Sequence, residues 1–343
     1  MEGEPVQTIR ATNRNRLFLN RKKQKDDETD VRRSLANLRL NTSDVTAIAN
    51  KLKTKGSITA SQLKSLQNAL IDDPKNIEVV LNTHGALRGL VRELTGHDVS
   101  KQIASCGCLC NLALGDSKAC CAIAKAAGAY LVASLDSLTT QLAVSCAWTL
   151  GNLAGSDTRV CDVITAQGAI AKLCDVTRSD VRDAALYALT HLAYVLKDDL
   201  LPDHVHKIVE SVSQTDLNIE SSQLLFIISC HKDFTAQIIP TLYLEKILEK
   251  LPLDMENHLN LCKNDNTTRN IDKCSELMYL VRVLANMNSS VFYSKVLEYF
   301  VRNDLVGYVK RLLEIDDDGS MWWFLGNMFN CCGDHMFFKQ LIS

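Results

Sequence analysis

The chain has 343 residues, 46% of them hydrophobic, and a net charge of −2. That is ample for a large core, and no global charge demands nucleic acid as a partner. Its 13 cysteines, 5 prolines and 15 glycines argue for helices with buried, reduced thiols over a disulfide scaffold, a sandwich or a barrel.

The first segment, residues 1–45, reads as a basic arm on an acidic body. Arg10, Arg14, Arg16, Arg21, Lys22, Lys23, Lys25, Arg32, Arg33 and Arg39 crowd into it. It has no apolar run, so no signal peptide is expected. No uninterrupted apolar stretch is long enough to cross a bilayer; the best, Leu224 to Cys230, is far too short.

From residue 46 onward the chain repeats itself. A first weak copy of the repeated phrase is Asn68-Ala69-Leu70-Ile71, followed by Asn111-Leu112-Ala113-Leu114 and Asn152-Leu153-Ala154-Gly155. Further on come His191-Leu192-Ala193, Cys230, Asn286-Met287 and Asn327-Met328. The steps lie close to about forty residues, the spacing of helical solenoids. One longer step holds Leu253 to Lys273, rich in Asn, Asp, Lys and Thr, which predicts a surface loop.

A second mark keeps the same time. Gly85-Ala86, Gly128-Ala129 and Gly168-Ala169 each predict a sharp turn with positive φ between two helices. One repeat then reads as short helix, turn, second helix, loop, long third helix. The long helix of one repeat is predicted over Thr140 to Ala154, where Leu142, Cys146, Leu150 and Leu153 follow helical spacing. No single repeat buries its apolar face alone. Stacked neighbours do, and their third helices then line one wall.

Two copies of the phrase are more elaborate: Trp148-Thr149-Leu150-Gly151-Asn152 and Trp323-Phe324-Leu325-Gly326-Asn327. Residues four apart share a helix face. An indole beside a carboxamide can grip an extended peptide, the ring stacking on side chains and the amide bonding the backbone. Of the adjacent Trp322 and Trp323, one is expected to pack inside and the other to face the wall. His191 is expected to make a polar contact there.

The cysteine clusters Cys106-x-Cys108-x-Cys110, Cys120-Cys121 and Cys331-Cys332 lack paired CxxC spacing, so packing is expected and no metal. Nothing resembles a catalytic triad, a Walker loop or a dinucleotide motif, so neither enzyme activity nor a cofactor is expected.

The repeat length, the Gly-Ala mark and the Trp-x-x-x-Asn pair resemble armadillo repeats, and among them those of importin-α. Glu78-Val79-Val80-Leu81-Asn82-Thr83-His84-Gly85 is similar to the first importin-α repeat. The resemblance implies an all-α, right-handed armadillo solenoid of about seven repeats behind a basic arm. The chain ends soon after the seventh, where importin-α has ten. Arg16, Arg21, Lys22, Lys23 and Lys25, an acidic Asp26-Asp27-Glu28 spacer, then Arg32 and Arg33 resemble an importin-β-binding segment.

What this implies is a nuclear-import adaptor, cytoplasmic and nuclear. It would take basic cargo peptides in its groove and an importin-β-like receptor on its arm, without direct nucleic acid or membrane contact. The groove residues implied are Asn68, Asn111, Trp148, Asn152, Asp157, Tyr187, His191, Arg282, Asn286, Trp323 and Asn327. The positions four before the anchors read Lys64, Gly107, Trp148, Tyr187, Phe226, Arg282 and Trp323, so Gly107 leaves one indole slot empty. Ser156 stands where the resemblance implies an acid, with Asp157 next to it. The armadillo branch of transmembrane and coiled-coil domain-containing protein 6 shares similar phrasing and a basic leader. That second resemblance favours the alternative, an armadillo scaffold with a partner outside transport.

Overall fold

The computed structural model describes residues 40–54, 56–264, 276–287, 289–315, 319–333 and 336–342. The arm residues Arg16, Arg21, Lys22, Lys23, Lys25, Arg32 and Arg33 lie outside the described residues. Those residues form helices and connecting turns, with no strand among them. They divide into two compact bodies, one ending at Leu196 and one beginning at Lys197.

The first body opens with α1 (Thr42–Lys53) and α2 (Ala60–Asp72). Each starts in a capping box, Asn41 with Asp44 and Thr59 with Gln62, which satisfies backbone N–H groups the helix leaves over. Three armadillo-type repeats follow. They are α3 (Lys75–Asn82), α4 (Ala86–Leu94) and α5 (Val99–Leu112); α6 (Ser117–Ala133) and α7 (Thr140–Ala154); and α8 (Thr158–Ala166), α9 (Ala169–Cys174) and α10 (Ser179–Leu196). Helix α7 spans the range its apolar spacing predicts. Asp98, Asp116 and Asp157 cap α5, α6 and α8, accepting the backbone N–H of Lys101, Ala119 and Val160 at 3.2, 2.8 and 3.0 Å.

The long helices stack in order: α2 on α5, α5 on α7, α7 on α10. The seam is closed by Leu63, Leu66, Leu109, Leu112, Cys146, Leu150 and Leu153, none with any exposed surface.

Two of the three expected glycine turns are present. Gly85 (φ 94) and Gly168 (φ 87) are left-handed and start α4 and α9. Gly128 differs: it lies inside α6, which runs unbroken through the place of the turn. The glycine serves close packing there. A Cβ on Gly128 would overlap Oε1 of Gln167, whose Nε2 donates to Ala124 O at 3.1 Å.

With its following turn, α6 covers Ser117–Asp136, 20 residues of mean hydropathy 1.3, long and apolar enough to span a membrane by those measures. Lys118 and Lys125 interrupt the run, which is why the sequence shows no continuous apolar stretch. Half of the segment is buried inside the body, with Cys120, Ile123, Ala124, Ala127 and Leu131 fully covered.

The second body holds α11 (Pro202–Ser213), α12 (Ile219–Ser229), α13 (Thr241–Asn264), α14 (Glu276–Asn286), α15 (Ser290–Arg302), α16 (Val306–Leu313), α17 (Ser320–Cys332) and α18 (Met336–Ile342). Helix α14 packs between α12 and α17. The expected loop from Leu253 is helical as far as Asn264, with Pro252 inside α13. The reason lies in Leu251, Met255 and Leu259, buried at spacings of one turn among polar neighbours. On α18, Phe337 packs against Phe300 at 5.9 Å and Phe338 against Phe329 at 5.1 Å between ring centroids.

Candidate functional site

The anchor residues all fall on the third helices or their caps, and four of them, Asn111, Asn152, Asn286 and Asn327, make one repeated bond. Asn111 Nδ2 donates to Gln67 O at 2.5 Å and Asn152 Nδ2 to Cys110 O at 3.0 Å. Asn286 Nδ2 donates to Ser229 Oγ at 2.8 Å and Asn327 Nδ2 to Ala285 O at 2.9 Å. In every case the acceptor sits one residue before the anchor of the preceding repeat. A one-residue register on a helix thus becomes a bolt between neighbouring repeats, each bond worth about 1 kcal/mol net.

This departs from the expectation that each amide grips a bound backbone. Asn111 and Asn152 are buried, at 0% and 3% exposure, so neither stands open on the wall. Asn68 is exposed, while Asn286 and Asn327 are half-buried. The physical reason is distance. At Asn111 and Asn152 the third helix lies so close to its predecessor that a short amide reaches the neighbouring carbonyl before it reaches solvent.

Gly107 explains part of that closeness. A Cβ there would overlap the side-chain amide of Gln67. The missing indole slot is therefore filled by Gln67 from the preceding helix. Gln67 is missed by sequence reasoning, although a glycine at a slot position signals that a neighbour occupies the gap.

In the first body the aromatic part of the wall is Trp148, Tyr187 and His191. Ring centroids are 4.3 Å apart from Trp148 to Tyr187, and 4.3 Å again from Tyr187 to His191. The Tyr187 hydroxyl donates to Asn152 Oδ1 at 3.0 Å. His191 Nδ1 lies 2.8 Å from Tyr187 O, one turn back on α10. Trp148 and His191 are half-buried and Tyr187 is buried. The polar contact expected of His191 is thus made within its own helix.

Asp157 works as a cap. Its carboxylate accepts Val160 N and the Ser117 hydroxyl, and Arg159 Nη2 approaches at 3.7 Å. Ser156 is buried with its hydroxyl unpaired.

The second body presents Phe226, Tyr279, Arg282 and Trp323. Arg282 Nε donates to Ser320 Oγ at 2.9 Å, and its guanidinium carbon lies 5.4 Å from the Phe226 ring centroid, within cation–π range. Tyr279, also missed in the sequence, is 6.0 Å from Phe226. Trp322 and Trp323 are 59% and 44% exposed, so neither packs inside. Met321, Phe324, Leu325 and Met328 take the core stripe of α17 and leave both indoles outside it.

The cysteines are packing residues where they lie deepest. Cys106 Sγ is 3.5 Å from Cys146 Sγ, and that contact together with burial pushes the Cys106 thiol up from its ordinary value. Among the described residues no group of three or more His, Cys, Asp or Glu could hold a metal ion.

No protein-family model matches the chain, and no curated protein matches it. Solved structures do. An engineered protein studied by a structural genomics consortium aligns at 20% identity with a TM-score of 0.58, covering 83% of this chain and 68% of that one. A designed armadillo repeat protein, solved in complex with the peptide (KR)4, aligns at 15% identity with a TM-score of 0.46, covering 83% of this chain and 99% of its own. At 20% identity the first of these likenesses concerns the fold alone.

Proposed function

We propose that this chain is a non-catalytic armadillo scaffold that holds an extended segment of a protein partner across its third helices. The observation that carries the reading is the Trp148–Tyr187–His191 stack, set on two successive third helices. The half-buried rings of Trp148 and His191, braced by buried Tyr187, offer contact area at low entropic cost, and stacking on them is worth about 0.5–1.5 kcal/mol per ring pair beyond burial. Rigid placement matters equally. The asparagine bolts fix the distance between helices, so the surface is ordered before a segment arrives.

Panning a random dodecapeptide library on the intact chain tests this. Selected peptides should bind Trp148→Ala at least about tenfold more weakly, a change of about 1.4 kcal/mol. If every selected peptide binds that variant as tightly as the original, the wall is not the binding face.

A second reading is favoured by one specific observation, the order of charges in the arm. Arg21, Lys22, Lys23 and Lys25 are followed by Asp26, Asp27 and Glu28, then by Arg32 and Arg33. On this reading the chain is an import adaptor moving between cytoplasm and nucleus, with an importin-β-like receptor on the arm and basic cargo peptides on the wall. Many weak ion pairs, each about 0.2–1 kcal/mol, would hold the arm. A pull-down with importin-β should then fail when Arg21, Lys22, Lys23 and Lys25 become alanine. Equal capture of both proteins removes this reading.

A further inference from the structure

Helices α2, α5, α7, α12 and α14 each carry the next third helix of their own body. Five residues before its anchor, each holds a covered side chain. Leu63, Cys106, Ala147, Leu225 and Val281 are at most 1% exposed. On α17 the same place holds Trp322, which is 59% exposed. The place just before the anchor repeats the contrast. Gly151 lies under the Tyr187 ring of the next helix, whereas a Cβ on Gly326 meets nothing within 4 Å. A glycine inside a helix costs stability relative to alanine, and nothing among the described residues fills the gap at Gly326. Helix α17 thus presents a stacking face. Exposed Trp322, Trp323 and Phe329 surround a glycine gap, with no charged residue from Ser320 to Cys332.

Helix α2 presents the matching face. Among the described residues no third helix precedes it, and its slot and anchor residues, Lys64 and Asn68, are exposed. The stack within each body shows where these two side chains belong. The other four asparagine anchors donate to the residue one before the preceding anchor. For Asn68 set on α17, that residue is Gly326. Slot residues lie against the preceding slot residue, Tyr187 on Trp148 at 4.3 Å and Arg282 on Phe226 at 5.4 Å. For Lys64 set on α17, that partner is Trp323, an ammonium against an indole. The shorter helices agree. Helix α18 packs on α16 as α3 packs on α1. Helix α18 therefore stands as a first helix, and α1 and α2 stand as a second and a third.

We propose that a second copy of this chain docks head to tail, its α2 on α17 and its α1 beside α18, completing one repeat across the junction. The contact continues the seam that joins the third helices within each body. It is heterologous, so a docked copy still offers a face to the next. It goes beyond the peptide wall and does not depend on what that wall binds.

Sedimentation velocity of the full chain from about 1 to about 100 μM tests this. The mass of the unaltered protein should rise from one chain to two or more. Asn68→Arg and Gly326→Arg alter opposite faces at exposed positions, and circular dichroism checks their folds. Each variant alone should stay at the mass of one chain, because an arginine at either place props the two helices apart. An equimolar mixture should recover pairs and stop there, since one intact face of each kind remains. An unaltered chain that stays single at every concentration overturns the proposal and leaves the α17 face to a helix of another protein. Association that survives in either variant, or a mixture that stays single, also overturns it. Where a variant fails to fold, hydrogen exchange of the unaltered chain decides. Raising its concentration should protect Ala60–Asp72 and Ser320–Cys332 together, and protection that leaves either helix unchanged overturns the proposal.

Discussion

At the scale of single residues, the repeated asparagine is first of all a structural bond. Asn111 has no exposed surface and reaches back to Gln67 O. Asn111→Ala should cost about 1–3 kcal/mol, because it removes a buried side chain together with its bond to Gln67 O. Asn68→Ala, at an exposed position, should stay within about 0.5 kcal/mol. Urea midpoints of the two variants check the contrast, and equal shifts would contradict it. The two copies of the Trp-x-Leu-Gly-Asn phrase should also part company at their glycines. A Cβ on Gly151 enters the Tyr187 ring, whereas a Cβ on Gly326 meets nothing within 4 Å. Gly151→Ala should therefore destabilise, and Gly326→Ala should stabilise its helix by about 0.5–1 kcal/mol. Thermal melts of both proteins would show opposite signs. Two shifts of the same sign would mean the phrase plays one packing role in both places.

At the scale of elements, α13 carries a pH dependence of its own. Burial pushes the Asp254 carboxyl up from 3.8 to about 6, with Glu276 nearby adding to the rise and Lys250 opposing it. The Lys250 ammonium itself bonds Leu217 O at 2.8 Å and pairs with Glu276. Because the folded state holds this proton longer than the unfolded state, its contribution is present at low pH. It is lost as pH rises from about 4 to about 6. Stability of Asp254→Asn should lack that fall, so the difference between variant and original should grow across this window and then level off. A constant difference from pH 4 to 7 would show that the carboxyl titrates normally.

The same scale shows what can be read from the chain alone. Helix α7 and the turns at Gly85 and Gly168 follow directly from apolar spacing and from the need for positive φ. Gly128 carries the same local mark but serves Gln167, a neighbour about forty residues away that no local pattern reveals. The start of the expected loop at Leu253 is helical because three buried positions outweigh a polar composition. The wall positions are legible as a period, and the partners of their side chains are not. Whether an amide faces a ligand or a neighbouring carbonyl depends on how closely two helices approach, and packing sets that distance.

At the scale of the whole molecule, each body is a stack in which a repeat is stabilised chiefly by the repeats beside it. Bolts, seam and aromatic surface all belong to the third helices, while the first helices supply caps and cover. Function is therefore assigned to one layer of the fold, and hydrogen exchange with and without a selected dodecapeptide tests that assignment most directly. The account predicts added protection concentrated in Thr140–Ala154 and Ser179–Leu196, the helices that carry Trp148, Tyr187 and His191. Protection confined to Ser117–Ala133 and Thr158–Ala166, with those two helices unchanged, would contradict it.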